Sequence, residues 1–151
     1  MCFYTSLVVP AEKGYMEQLK ALAKGDSRIR FVGYKTGKAL DELFAHAYLF
    51  CQPSITEGLP LTVLEAMSFG TPVFVSDVPG NVEAMHRSGF TFENGNIEDL
   101  TNQLQYLLFH KDDVRASGLS GKRVVDAFFN WDKIVDRTER LYQLAKKKHV
   151  K

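Results

Sequence analysis

Thr56-Glu57-Gly58-Leu59-Pro60-Leu61-Thr62-Val63-Leu64-Glu65-Ala66-Met67-Ser68-Phe69-Gly70-Thr71-Pro72 runs directly into Val73-Phe74-Val75-Ser76. Both ends of a helix are written in this stretch. Proline is tolerated at a first helical position, glycine just past the last turn suits a left-handed cap, and Pro72 cannot continue the helix. The reading is a helix over Pro60 to Phe69 followed by a short strand over Val73 to Ser76. Upstream, Tyr48 to Gln52 form a continuous apolar strand of the kind found in sheets covered on both faces, and Pro53 ends it.

The same alternation extends outward. Phe3 to Val9 read as a strand, Glu12 to Lys24 as a helix with Tyr15, Leu19, Leu22 and Ala23 on one stripe, and Ile29 to Val32 as a second strand. Gly33 and Gly37 flank a loop, after which Leu40, Leu43, Phe44 and Ala47 have helical spacing. Downstream, a short helix through Glu83 and Met85 stops near Gly89, Phe90-Thr91-Phe92 form a short strand, and Asn94-Gly95 mark a turn. Asn96 and Asp99 resemble a capping pair opening a helix with Leu100, Leu104, Leu107 and Leu108 inward. Helices over about Asp112 to Phe128 and Trp131 to Lys148 follow. Tyr106, Phe109, Phe128, Phe129 and Trp131 are assigned to core packing, with part of the stripe available to dock a partner. Strands alternating with helices predict an α/β domain, a Rossmann-like doubly wound parallel sheet with helices on both faces.

Composition narrows the function. The chain has 151 residues, 45% hydrophobic and 25% charged, as in ordinary globular domains. With 19 basic and 18 acidic side chains the net charge is +1, so no field for nucleic acid exists. Lys146-Lys147-Lys148 read as a solvated tail, and no apolar run is long enough to span a bilayer. Cys2 and Cys51 sit in apolar, strand-like runs without metal spacing, where cysteine behaves as a small hydrophobe. No secretory signal is visible, and a cytoplasmic location is expected. Asp77, His86 and Ser88 lack the Gly-x-Ser-x-Gly elbow of a hydrolase, and His86 is expected at the exposed end of its helix. Neither a dinucleotide fingerprint nor a Walker loop is present.

The chemistry concentrates at the first helix quoted. Ligands of doubly wound sheets bind beyond the carboxyl ends of strands, and the loop Pro53 to Leu59 follows such an end. The helix is apolar on nearly every side apart from Thr62, Glu65 and Ser68, so it is expected to be buried all round. Glu65 would then be a buried carboxylate, which needs donors from the protein or from ligand hydroxyls. It lies about 7.5 Å along the axis from Pro60, and Glu57 sits in the preceding loop, so one ligand can reach both. Free amides and the helix dipole favour an anion at the tip by about 0.3–1 kcal/mol. From the residues alone two readings stay open: a site for a phosphate flanked by hydroxyls, or a solvated Glu57 with Glu65 capping internal backbone groups.

Pro53-Ser54, Glu57-Gly58-Leu59-Pro60-Leu61, Leu64-Glu65-Ala66-Met67, Gly70-Thr71-Pro72-Val73 and Ser76-Asp77 together resemble the retaining nucleotide-sugar glycosyltransferases of glycosyl transferase family 4 (group 1), which have the two-domain glycosyltransferase B fold. The likeness continues through Arg30 to Tyr34, Leu40 to Ala47, Gly95 to Leu100 and Trp131-Asp132-Lys133. It implies that residues 1–151 are a single C-terminal, donor-binding domain. Glu57 would be catalytic and hold a hydroxyl of the donor sugar, while amides around Gly58, Leu59, Leu61 and Thr62 hold sugar and diphosphate. Glu65 would take the ribose hydroxyls, and Tyr34 and Lys35 edge the nucleobase.

The implied donor is a UDP or GDP sugar for polysaccharide or glycoconjugate synthesis, with no metal or other cofactor. Relatives carry a further strand whose loop gives an arginine and a lysine to the diphosphate, and this usual first strand is expected to be missing. An acceptor-binding domain is expected in an absent N-terminal segment or a separate chain, and through it peripheral attachment to a membrane. Without that domain the isolated chain is expected to be inactive. An exposed strand edge invites a homodimer. Pro60 replaces a glycine of many relatives and removes one amide donor. The alternative function is a non-catalytic sugar-nucleotide-binding or subunit-assembly domain.

Overall fold

In the computed structural model, which describes residues 3–5, 13–23 and 25–149, every paired strand is parallel to its neighbour and strands alternate with helices. The chain divides into two compact units, Met1–Leu43 and Phe44–Lys151.

The first unit holds β1 (Phe3–Thr5), α1 (Lys13–Leu22) and β2 (Ile29–Phe31), with Phe3 paired to Ile29 and Thr5 to Phe31. Ser6 to Val9, Glu12, Lys24 and Cys2, assigned to elements above, lie outside the described residues. Before β2, the Arg28 amide and guanidinium both donate to the Asp26 carboxylate at 2.7–3.2 Å. These hydrogen bonds hold the Asp26 carboxyl down at about 2. On α1 the stripe differs from expectation. Met16, Leu19 and Ala23 are half-buried, whereas Tyr15 and Leu22 are exposed. The half-buried set has its own helical spacing, i, i+3 and i+7, so the covered face is rotated from the predicted one. The helix α2 (Lys38–His46) carries the chain into the second unit.

The second unit contains β3 (Phe50–Gln52), α3 (Leu61–Ser68), β4 (Val73–Ser76), α4 (Pro79–Met85), β5 (Phe90–Phe92), α5 (Ile97–Phe109), α6 (Lys111–Phe128) and α7 (Trp131–His149). Its sheet order is β3-β4-β5, with Phe50 opposite Val73 and Phe74 opposite Phe90. All four residues of β4 are buried, so the strand is covered on both faces, as the doubly wound reading requires. The β4 and β5 boundaries agree with the sequence reading. β3 is shorter than expected because Tyr48 leaves the ladder: it packs on the cluster of Phe74, Phe92, Leu107 and Val114, and its hydroxyl donates to the Leu107 carbonyl at 2.7 Å. Asn96 caps α5 as predicted, accepting from the Asp99 amide at 3.0 Å. Asp99 does not reach back to Asn96; its carboxylate accepts from the Glu93 amide instead, at 2.7 Å.

Two expectations about packing are corrected. Tyr106 and Phe109 are exposed rather than core, because α5 turns Leu100, Leu104, Leu107 and Leu108 inward and its last turn places Phe109 on the opposite side. Phe128, ending α6, and Trp131, opening α7, are exposed too, and of the stripe Phe129 is half-buried. Cys51 is also exposed, on the outward-facing central position of β3. Lys146 and Lys147 are exposed as expected.

Candidate functional site

The site grows from the end of β3. Gln52 closes the strand, and from there its side-chain amide donates to Glu57 Oε1 at 2.8 Å. Ser54 Oγ donates to the same oxygen at 2.7 Å. Glu57 is thus a half-buried, doubly bonded carboxylate and not a solvated loop residue. Its other oxygen has no partner among the described residues. The loop is anchored from three sides. The Ser76 hydroxyl donates to the Ser54 carbonyl, Asn94 Nδ2 donates to the Ile55 carbonyl at 3.2 Å, and the Glu57 and Gly58 carbonyls lie directly over Gly80. Beneath Ser76, Asn81 Nδ2 donates to its carbonyl at 3.0 Å and its hydroxyl oxygen at 3.3 Å. Asn81 is fully buried, and its Oδ1 has no partner.

The helix tip follows. Pro60 is the N-cap of α3, one position earlier than its predicted place at the first helical residue, and its carbonyl accepts from the Val63 and Leu64 amides at 3.0 and 3.2 Å. The amides of Gly58, Leu59, Leu61 and Thr62 find no acceptor among the described residues. Gly58, Leu59 and Leu61 are exposed and Thr62 is half-buried. These open donors sit at the positive end of the α3 dipole, an arrangement suited to an anion.

Glu65 corrects the sequence reading. It is exposed, and its carboxylate makes no hydrogen bond or ion pair among the described residues. The helix is not buried all round: Val63, Leu64, Ala66 and Met67 face the core, while Leu61, Glu65 and Phe69, at i, i+4 and i+8, form one open face. Glu65 caps no backbone group, so the internal role left open above is absent.

Tyr34 is exposed and Lys35 half-buried, in the first unit between β2 and α2. His86 is exposed, as predicted, at the left-handed C-cap of α4 with φ 46°, and its ring stacks on Phe128 at 4.5 Å. Together with Gly58, Leu59, Gly80 and Glu83, these two side chains line a cavity of about 250 Å³ beside the loop. Gln52, Asn81 and Asn94 were not singled out as site residues. The first is the polar residue ending an apolar strand and the second a polar residue in a short apolar helix, so both carried a signal.

The glycosyl transferases group 1 pattern matches residues 5–110. A GDP-mannose-dependent α-(1-6)-phosphatidylinositol monomannoside mannosyltransferase of Mycobacterium tuberculosis is 30% identical over 139 residues, covering 84% of this chain and 36% of that protein. Among solved structures, sucrose-phosphate synthase from Thermosynechococcus elongatus superposes with a TM-score of 0.80 at 28% identity, over 89% of this chain and 34% of that one. Anabaena HepE in complex with UDP-glucose gives a TM-score of 0.80 at 19% identity, over 91% of this chain and 39% of that one, a likeness of fold. The chain therefore spans about a third of the length of these relatives. With the Glu57 loop, the open α3 tip and the parallel sheet beneath them, these matches show that the chain belongs to the group 1 glycosyl transferases.

Proposed function

We propose that the tip of α3 binds a nucleotide-diphosphate sugar and that this chain is the donor-binding half of a retaining glycosyltransferase, working with an acceptor-binding domain carried elsewhere. The observation that carries the reading is the order of groups along one short segment. A fixed carboxylate, Glu57, comes first, then the unengaged amides of Leu61 and Thr62, then Glu65 on an open face one turn further on. Hydroxyls of the sugar, the diphosphate and hydroxyls of the ribose meet these groups in that order. As the sugar leaves, negative charge grows on the diphosphate, and amides and a dipole already in place stabilise it without reorganising. UDP-glucose and GDP-mannose, named with two of the similar proteins, are the donors to try first.

The tip contributes on the order of 1–2 kcal/mol toward a diphosphate and the Glu65 bonds to the ribose about 1.5–3 kcal/mol, so the isolated chain is expected to bind nucleotide with a Kd near 1 mM, about −4 kcal/mol. Ligand-detected saturation transfer with UDP and GDP tests the assignment of Glu65. Glu65→Ala should raise the Kd about tenfold by removing charge-assisted bonds to the ribose. The fold should persist, since the carboxylate has no protein partner. Unchanged affinity, or global unfolding, would refute the assignment.

A second reading, assembly without catalysis, is favoured by α7, on which Trp131, Leu141, Tyr142 and Leu144 are all exposed. Sedimentation of the chain that shows self-association near micromolar concentration would support it, and a monomer throughout would count against it.

A further inference from the structure

We infer that Ser54 and Gln52 are positioning residues that aim Glu57 at the sugar of the donor, an inference resting on the reading of Glu57 as the partner of a sugar hydroxyl. A carboxylate offers two oxygens and about four acceptor positions. Both protein donors fall on Oε1, at 2.7 Å from Ser54 and 2.8 Å from Gln52. Oε2 is left without a partner among the described residues. A glutamate in a loop ordinarily samples several rotamers and loses that freedom when it engages a ligand. Here the loss is taken at folding, which is how preorganisation raises affinity.

The donors are themselves fixed. Gln52 is paired in the β3–β4 ladder opposite Val75. Ser54 is held through its carbonyl by Ser76, which in turn receives the amide of the fully buried Asn81. This chain of bonds runs from the base of α4 to the carboxylate. The loop backbone does not depend on the Ser54 hydroxyl: the Ser76 to Ser54 carbonyl bond, the Asn94 to Ile55 bond and the seating of Glu57 and Gly58 on Gly80 remain without it. Removing the hydroxyl therefore frees the direction of Glu57 while leaving the helix tip as it is. Binding of the nucleotide and binding of the sugar should separate.

The test compares UDP with UDP-glucose, and GDP with GDP-mannose, by amide-shift titration of the 151-residue chain. The variants are Ser54→Ala, Gln52→Leu and Ser54→Thr, with thermal unfolding as the check on folding; Gln52→Leu serves on its own should Ser54→Ala fail to fold. In the pair that the wild type binds, Ser54→Ala and Gln52→Leu should each weaken the sugar nucleotide about fivefold, while the nucleoside diphosphate changes less than about twofold. Ser54→Thr, which keeps the hydroxyl, should restore the difference. Equal weakening of both ligands, or of neither, in variants that fold would overturn the inference while leaving the nucleotide site intact. A wild-type chain that binds none of the four would overturn the proposed function and this inference together.

Discussion

Gly80→Ala is expected to lower the melting temperature by roughly 6–12 °C and to abolish nucleotide binding at the α3 tip. Gly80 is the second residue of α4 and is buried. A Cβ built there overlaps the carbonyl oxygen of Glu57 and lies 2.5 Å from that of Gly58, and both are backbone atoms that cannot rotate away. Either α4 moves from the sheet or the loop is pushed off its seat. Overpacking of this kind costs about 3 kcal/mol, and each kcal/mol is about 2–4 °C for a chain of this size. The binding loss follows because residues 57–59 lead directly into the cap at Pro60, so the Leu61 and Thr62 amides move with them. Gly58→Ala is the control, since its added methyl meets nothing within 4 Å. Differential scanning calorimetry of both variants checks the prediction. A Gly80→Ala protein as stable as wild type would mean that loop and α4 are not in direct contact.

Gly118→Ala is expected to destabilise by about 2 kcal/mol, lowering the melting temperature by roughly 4–8 °C. The sign is informative, because alanine in place of glycine inside a helix ordinarily adds about 1 kcal/mol of stability. Gly118 lies within α6, and its Cβ would strike the Gly70 carbonyl oxygen and approach the Pro72 ring at 3.2 Å. Gly70 holds φ 75° at the end of α3, a conformation that ties the turn to that helix. The turn therefore cannot yield without disturbing the approach to β4. Gly121 repeats the pattern three residues on, where a Cβ would sit 3.3 Å from Met67 Cγ. These two glycines let α6 lie close on α3, the helix that presents the site. A neutral or stabilising Gly118→Ala in thermal denaturation would show that α6 packs more loosely.

The sheet of the second unit was legible because punctuation bounds its strands. Gly70 and Pro72 precede Val73–Ser76, and Gly89 precedes Phe90–Phe92, so β4 and β5 could be placed to the residue. The Asn96 cap was legible for the same reason, as a local side-chain bond between residues three apart. Exposure was not. Leu61 and Phe69 look like core residues in the sequence, yet with Glu65 they form an open face, since composition cannot say which side of an apolar helix the rest of the unit covers. Phe109, Phe128 and Trp131 misled for the same reason. At the site, the place of Glu57 in the loop after β3 could be read, but the bonds that hold it could not be read in full. Ser54 and Gln52 are close in sequence, whereas Ser76 and Asn94 reach the loop from 22 and 39 residues away, and Asn81 acts on it only through Ser76.

The central claim is that the α3 tip and the loop before it bind the donor. Titration of UDP-glucose and GDP-mannose into the nitrogen-15-labelled chain, followed by amide shifts, tests it most directly. The account predicts that for at least one of the two ligands the shifting amides cluster at Gly58, Leu59, Leu61, Thr62 and Glu65, with half-saturation near 1 mM, and that those of α7 stay in place. Shifts that cluster elsewhere, or none up to tens of millimolar of either ligand, would contradict it.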